Sequence, residues 1–368
     1  MVLAFAVYIF ILVFMTSFGI VATRGKKYCV LQLNTILPII IVSLIMGFRY
    51  DVGTDWENYQ AMYCEILKNG ITWSSIVGST LEPLYLILNV VIAYMGLPYQ
   101  IFFAIIMFLH LILLYKSFDH YPYLLPLGLF FYITTFFCTS LNIQRQSLSI
   151  CIFIYSIRFI LDKEFYKYCM CIIIAGLIHY SSFILLPVYF LSMNFTRVLD
   201  KRLIQLSLYA CSFFIFNFAL NIINNFVLGF ITNAKYLSNL NALGNVNMGT
   251  SSGLGVIATI VVDIFLIIYS KRLSIVYSKY KFNVIFRIYY VGFVMSNIFG
   301  LDMFLSRLFL AMENMRFIVL AFFVYYLINV KRTEFSYAVG CSLIVLYLLM
   351  YLGGIYNGNS GCSPFAFA

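Results

Sequence analysis

Long apolar runs, interrupted by short polar segments, follow one another along almost the whole chain. Many of them have the roughly 17 to 25 residues that a helix needs to cross the hydrocarbon core of a bilayer. The pattern predicts an all-α, polytopic integral membrane protein with about 12 transmembrane helices, within a range of 10–13, in one transmembrane domain over residues 1–368. The candidate spans are 2–21, 29–47, 99–115, 124–139, 147–161, 166–178, 182–195, 203–228, 253–270, 282–300, 308–329 and 335–352.

One apolar segment is too short for this pattern. Residues 83–96 read PLYLILNVVIAYMG, which as a helix extends about 21 Å, whereas the bilayer core is ~30 Å thick. We interpret this segment as a re-entrant or interfacial helix within an outer-face loop over residues 48–98. A second outer-face loop, rich in Asn, Gly and Ser, is predicted over residues 229–253. Residues 166–195 are also short for two spans, and His179 lies at their junction.

Composition and charge support this class of protein. Hydrophobic residues make up 63% of the chain, charged residues 10%, and the mean hydropathy is +0.98, whereas a soluble domain has roughly 25% charged residues. The net charge of +10 comes from small Lys and Arg clusters between apolar runs, which is how membrane topology is encoded. A nucleic-acid groove would concentrate this charge on one surface. The lipid bilayer is therefore the expected environment, and no nucleic-acid partner is expected.

Cysteine and metal chemistry add little to this prediction. Seven of the nine cysteines fall in apolar runs, where a thiol behaves as a small hydrophobic group. Cys64 and Cys362 fall in polar segments on the same predicted side, which leaves a disulfide between them open. No cluster of His, Asp or Glu has metal-ligand spacing, so we expect metal-independent chemistry without a cofactor.

The polar stretch GFRYDVGTDWENY, from Gly47 to Tyr59, lies at the predicted outer end of the second span. Its interleaved acids and aromatic rings suit hydrogen bonding to sugar hydroxyls and stacking on a sugar face. The same residues also suit a solvated loop or an interfacial aromatic belt. The candidate site residues here are Arg49, Asp51, Asp55, Trp56, Glu57 and Tyr59.

Two further polar positions interrupt the middle of the chain. Arg145, with Gln144 beside it in the sequence NIQRQ, is either a snorkelling anchor or an anion clamp. His179, in GLIHYSS, is either a packed structural residue or a general base or hydrogen-bond donor at the outer surface.

Charged residues also enter the late spans, where they are costly and indicate function. Glu313 and Arg316 are three residues apart and can pair on one helix face, while Arg307 can face the same cavity as Arg316. Asp263 is a second intramembrane candidate, and Arg287 is interpreted as a snorkelling anchor.

Four arginines at or near the predicted outer face run against the cytoplasmic bias of the other basic residues: Arg49, Arg145, Arg307 and Arg316. Arginine stays charged and binds phosphate through two parallel hydrogen bonds. A lipid diphosphate is therefore the ligand that this set favours.

These residues resemble the EpsG-like branch of the Wzy polysaccharide polymerases. The resemblance rests on GFRYDVGTDWENY followed by Leu81-Glu82-Pro83, on NIQRQ opening a span with a basic turn after it, and on the GLIHYSS histidine before a short Pro-containing helix. It extends from Gly47 to Pro187 and more loosely to Arg316. Its best single marker is the Arg-x-x-x-Gly-Thr-Asp pattern that begins at Arg49.

The resemblance implies a GT-C-like membrane glycosyltransferase that polymerises undecaprenyl-diphosphate-linked oligosaccharide repeat units of O-antigen, capsule or exopolysaccharide. Such an enzyme acts at the outer face of the bacterial inner membrane, toward the periplasm or cell exterior. It transfers the growing glycan to the non-reducing end of a new lipid-linked unit. A chain-length regulator and a flippase of the same pathway are the implied protein partners.

Residue roles follow from combining this chemistry with the candidates above. The diphosphate ligands are Arg145, Arg307, Arg316 and Arg49; the base is Asp55, then Asp51, or else His179; the substrate contacts are Trp56, Tyr59, Glu57, Gln144 and Glu313. A flippase or transporter of the same lipid-linked sugar, and an O-antigen ligase, are the alternatives. Charge concentrated at the outer side favours the polymerase over a transporter, whereas a ligase differs only in its acceptor.

Overall fold

The computed structural model describes residues 1–24, 28–69, 81–215, 253–299 and 303–368. Apart from two short strands, the regular structure in these ranges is helical. The α-helices are α1 (Val2–Thr23), α2 (Leu33–Gly47), α3 (Trp56–Asn69), α4 (Pro83–Tyr94), α5 (Tyr99–Lys116), α6 (Leu125–Tyr132), α7 (Cys138–Asn142), α8 (Gln144–Leu161), α9 (Phe165–Ile178), α10 (Arg202–Ser212), α11 (Leu254–Val276), α12 (Phe282–Phe299), α13 (Met303–Glu313), α14 (Arg316–Tyr325) and α15 (Glu334–Tyr356).

Tighter and wider helical turns join several of these helices. The 3₁₀ segments are Pro122–Leu124, Tyr180–Ser192, Asn194–Asp200, Ser278–Tyr280 and Asn359–Gly361, and the π-helical segments are Ile133–Phe137 and Tyr326–Lys331. Contacts divide the chain into two compact units. Unit 1 comprises Met1–Tyr189 and Phe317–Ala368, and unit 2 comprises Phe190–Arg316. The predicted outer-face loop over residues 229–253 lies, except for Gly253, outside the described residues.

Seven stretches of the described chain are long and apolar enough to cross a membrane, or eight if one sharply bent pair counts as a span. They are Val2–Thr23, Tyr99–Lys116, Pro122–Asn142, Leu254–Val276, Phe282–Phe299, Arg307–Lys331 and Glu334–Tyr356. All seven match predicted spans. Helices α2 and α9, with 15 and 14 residues, are shorter. The protein is therefore an all-α, multi-pass membrane protein, and the total of about 12 spans and the GT-C-like architecture stay predictions.

The predicted span 182–195 takes a different form. It lies mostly within the 3₁₀ helix Tyr180–Ser192, which meets Asn194–Asp200 at a bend of 92°. Pro187 lies inside the first of these helices. Because proline lacks an N–H and its ring clashes with the preceding turn of an α-helix, it disfavours a continuous α-helix at this point.

The segment predicted as an outer loop contributes to the core of unit 1. Trp56, Tyr59 and Tyr63 of α3 are buried with Tyr85 of α4 among side chains of α5, α8 and α9. Helix α4 begins with proline at its first position and is followed by Gly96 with φ +69°, which are common signals for the start and end of a helix. The 12-residue α4 is thus a helix, as predicted, with one face buried in this core.

The C-terminal residues tie back to the start of the GFRYDVGTDWENY stretch. Strand β1 (Arg49–Tyr50) pairs antiparallel with β2 (Ala366–Phe367), and the amide of Ala368 donates to the carbonyl of Phe48 at 2.8 Å. This two-stranded ribbon holds residues 366–368 next to the C-terminal end of α2.

Candidate functional site

A buried carboxylate forms the centre of the main polar cluster in unit 1. Glu82 immediately precedes α4, and its side chain is 7% exposed. The Nη1 group of Arg145 donates to Glu82 Oε2 at 2.5 Å, and Nδ1 of His179 lies 2.9 Å from Oε1. The two carboxylate oxygens therefore engage two different cationic or ionisable side chains.

Breaks in the helical structure place all three side chains. Glu82 is the extended residue before Pro83, and Arg145 is the second residue of α8, after an interruption at Ile143. His179 is extended, with φ −153° and ψ 111°, between α9 and the following 3₁₀ helix. Because α9 packs against both α8 and α4, these breaks bring the three polar groups together.

Aromatic rings surround Arg145 in this cluster. Its guanidinium carbon lies 5.9 Å from the ring centroid of Tyr59 and 5.8 Å from that of Tyr85, both within cation–π range. The Tyr85 hydroxyl donates to Gln144 Oε1 at 3.4 Å. The side chains of Arg145 and His179 are 23% and 25% exposed, so neither is fully buried.

The Glu82 carboxyl is held in its charged form. Burial opposes ionisation, but the hydrogen bond from His179 and the charge of Arg145 outweigh it and hold the pKa of Glu82 below its ordinary value of 4.5. At neutral pH the cluster therefore contains a carboxylate that accepts hydrogen bonds.

A basic cluster marks the other end of α8. Arg158 donates to the Lys116 carbonyl at 2.5 Å and to Asp119 Oδ2 at 2.8 Å. Arg145 and Arg158 are 13 residues apart, which is about 20 Å along a helix. The Glu82–Arg145–His179 cluster thus lies at the end of α8 opposite Arg158.

Arg49 occupies a different environment. It is 1% exposed, and it donates to the carbonyls of Met46 at 2.6 Å, Val52 at 3.2 Å and Leu141 at 3.4 Å. The ring of Phe103 lies 5.1 Å from its guanidinium carbon. The described partners of Arg49 are thus backbone carbonyls and an aromatic ring of the protein itself. The role of Arg49 as a diphosphate ligand stays a prediction.

The centre of the Arg-x-x-x-Gly-Thr-Asp pattern packs tightly. Gly53 has φ +102° and donates to the carbonyl of Gly361 at 2.9 Å, and the amide of Thr54 donates to Asn142 Oδ1 at 2.8 Å. A Cβ atom at Gly53 would lie 2.7 Å from the same Asn142 oxygen. Glycine is therefore required here both by backbone conformation and by space.

The other predicted residues of the stretch differ in exposure. Asp51 and Glu57 are exposed, Asp55 is half-buried, and Trp56 is buried with its indole N–H donating to the Arg49 carbonyl at 3.2 Å. Tyr59 is the predicted residue of this stretch that contacts Arg145.

A second polar cluster lies inside unit 2. Arg316, at the start of α14, pairs with Asp263 of α11 at 3.0 Å, and the hydroxyl of Tyr289 donates to the same carboxylate at 2.8 Å. The partner of Arg316 is thus Asp263, while Glu313 ends α13 and is half-buried. Arg307 is exposed on α13.

The interpretation of Arg287 as a snorkelling anchor is wrong. Arg287 is 1% exposed, and its Nε and Nη2 donate to the two Asp200 carboxylate oxygens at 3.0 and 2.6 Å. Its Nη1 also donates to the Thr196 hydroxyl at 2.6 Å. These contacts within unit 2 leave Arg287 buried, whereas a snorkelling side chain extends its charged group toward water.

Sequence reasoning did not select Glu82 as a site residue. The available signal was a carboxylate directly before Pro83, at the start of an apolar helix too short to cross a membrane.

Cys64 and Cys362 are both free thiols in the structure. Within the described ranges, no group of three His, Cys, Asp or Glu side chains could hold a metal ion.

Comparison with known proteins places the chain in a family. No curated protein and no solved structure in the comparisons matches it. The model of the EpsG family matches residues 32–367, which is nearly the whole chain and includes both polar clusters. The chain therefore belongs to the EpsG family, as a multi-pass membrane protein with a role in polysaccharide polymerisation.

Proposed function

We propose that this protein polymerises undecaprenyl-diphosphate-linked oligosaccharide repeat units, by transferring the growing glycan to the non-reducing end of a new lipid-linked unit. The observation that carries the proposal is the buried Glu82 carboxylate, whose oxygens engage His179 and Arg145 beside two tyrosines. This cluster supplies a proton acceptor and a positive charge, which are the two groups that the reaction needs.

In this reaction the acceptor hydroxyl attacks the anomeric carbon of the donor, and the bond to the diphosphate oxygen breaks. The base takes the hydroxyl proton, and undecaprenyl diphosphate leaves with the bonding electron pair. His179 fits the base best, because an imidazole whose Nδ1–H donates to a carboxylate carries its lone pair on Nε2. Asp55 and Asp51 remain the alternative bases.

Arg145 is suited to bind the departing diphosphate and to stabilise its charge. One of its N–H groups is fixed on Glu82, which orients the guanidinium, and the side chain remains partly exposed. A positioned arginine stabilises charge that develops on a leaving oxygen without needing a metal. Arg307 and Arg316 of unit 2 stay proposed diphosphate ligands on the same chemical grounds.

We place this chemistry at the outer face of the bacterial inner membrane. The support is the position of Arg145, about 20 Å along α8 from the Arg158–Asp119 pair. Basic clusters such as the one at Arg158 favour the cytoplasmic side. The opposite end of α8 then faces the periplasm or cell exterior, where Tyr59 and Gln144 are proposed to contact the sugar.

The test compares variants of His179 and Arg145 in a strain that lacks the gene. His179→Ala is expected to lower polymer formation by about 10²–10⁴-fold, the usual contribution of a general base. Arg145→Lys keeps the charge but loses the planar fork, and a loss of at least about tenfold is expected. The matched controls are His120→Ala, an exposed histidine 3.9 Å from Asp162, and Arg158→Lys at the other end of α8.

The sugar profile of the strain separates the alternative functions. A single repeat unit attached to the surface acceptor supports a polymerase. Lipid-linked units that accumulate outside without any attached unit would indicate a ligase, and accumulation inside would indicate a flippase. Full-length polymer from well-expressed His179→Ala and Arg145→Lys proteins would refute the proposed site.

A further inference from the structure

We propose that Glu82 is the positioning residue of this site: its carboxylate fixes the tautomer of His179 with one oxygen and the orientation of Arg145 with the other. The inference rests on the proposed function for its catalytic consequence. Its structural part, the tautomer of His179, can be tested without any activity measurement.

His179 and Glu82 share one hydrogen. An ionised carboxylate has only acceptor sites, so the ring nitrogen 2.9 Å away must be the one that carries hydrogen. Nδ1 is therefore protonated in the neutral ring, and Nε2 carries the lone pair. A base with its lone pair on a defined nitrogen can accept a proton from a substrate hydroxyl on that side.

The second partner of Glu82 is Arg145. Its Nη1 donates to the other oxygen of the same carboxylate, in surroundings that leave the Glu82 side chain only 7% exposed. Low exposure to water strengthens both charged contacts. Because one rigid carboxylate holds both groups, the base and the guanidinium keep a fixed spacing, and displacement of one disturbs the other.

Glu82→Gln makes the inference testable. The amide has nearly the same shape, but one oxygen is replaced by an NH₂ group, which is a donor only. Arg145 can only donate, so the amide oxygen must face it and the NH₂ group must face His179. Nδ1 must then accept, which moves the ring hydrogen to Nε2 and removes the lone pair from the proposed reacting side.

The direct measurement is ¹⁵N NMR of the purified full-length protein labelled at histidine. The chain has three histidines, and the signal of His179 is identified by its absence in His179→Ala. We expect an Nδ1-protonated ring in the wild type and an Nε2-protonated ring in Glu82→Gln. Glu82→Asp keeps a carboxylate and is expected to keep the wild-type tautomer. Identical tautomers in wild type and Glu82→Gln would overturn the positioning role.

Turnover of a synthetic lipid-diphosphate-linked repeat unit tests the catalytic consequence. We expect Glu82→Gln and His179→Ala each to lower kcat by about 100-fold or more, with little further loss in the double variant and with KM changed less than kcat. Glu65→Gln, which removes an exposed carboxylate from α3, is the matched control. If Glu82→Gln changes the tautomer but leaves kcat intact, the assignment of His179 as the base fails while the positioning geometry stands. If kcat falls and the tautomer stays the same, the positioning role fails instead.

Discussion

Replacing Arg49 tests whether the most recognisable motif of the chain is scaffold or substrate site. The guanidinium donates to three backbone carbonyls and lies against Phe103, with 1% of the residue exposed. Hydrogen bonds to charged groups contribute about 1.5–3 kcal/mol each, and a buried carbonyl left without a donor costs about 1–3 kcal/mol. One of the bonds is short, at 2.6 Å, and the other two are longer, at 3.2 and 3.4 Å, so we expect Arg49→Ala to lower the free energy of unfolding by about 3–5 kcal/mol.

The loss should be visible in thermal unfolding of the purified protein in detergent. With about 2–4 °C per kcal/mol for domains of 150–250 residues, the expected fall in Tm is on the order of 10 °C. Arg49→Lys keeps the charge but can reach fewer carbonyls, so an intermediate fall is expected. Arg24→Ala, at an exposed arginine after α1, is the control and should stay within about 0.5 kcal/mol.

One result would refute this reasoning about Arg49. If Arg49→Ala unfolds at the wild-type temperature but no longer forms polymer, the side chain contributes little to stability and its role is in the reaction. The diphosphate-binding role predicted from the sequence would then be supported. If stability and activity fall together, and activity returns when the assay temperature is lowered, Arg49 is a structural residue.

Two further predictions concern the same end of unit 1. Gly53→Ala should lower the free energy of unfolding by about 1–3 kcal/mol, because φ +102° disfavours a side chain and the new Cβ would meet an amide oxygen at 2.7 Å. Gly353→Ala is the control, because a Cβ there would meet nothing within 4 Å. Equal Tm values for the two variants would contradict the prediction. Because the fold depresses the pKa of Glu82, the stabilisation that its charge provides is complete above the ordinary value of 4.5 and is lost as pH falls through the lower folded value. The Tm difference between wild type and Glu82→Gln should therefore shrink as pH falls below about 4.5. A difference that stays constant from pH 4.5 downward would contradict the linkage.

The sequence predicted the helical membrane class and seven of the spans, because a span depends on length and apolar content, which are local properties. It also placed a break at His179 and a short helix at residues 83–96, since polarity and length show both. It could not show that this helix packs among α5, α8 and α9, because pairing of segments far apart in the chain has no local signal.

The same limit explains the partners of the charged residues. Glu313 lies three residues from Arg316, so helical spacing suggested that pair, yet the carboxylate that binds Arg316 is Asp263, 53 residues away in sequence. Glu82 is 63 residues from Arg145 and 97 from His179. The contacts of Glu82 with these two residues form only where the ends of α4, α8 and α9 meet in the folded protein. Arg287 looked like an anchor for the same reason, because its partner Asp200 lies 87 residues earlier.

The GFRYDVGTDWENY stretch acts on the site through the backbone next to it. Arg49 donates to the carbonyl of Leu141, and the amide of Thr54 donates to the side chain of Asn142, the last residue of α7. The helical structure is interrupted at Ile143, directly after these contacts, and α8 then begins with Gln144 and Arg145. The motif therefore fixes the point at which α8 starts and so the position of Arg145. A substitution in the motif can lower activity by moving Arg145 without removing any substrate contact. Loss of activity in this stretch identifies a residue that acts on the substrate only where stability is unchanged, and the exposed Asp51 and the half-buried Asp55 are the positions where that separation can be made.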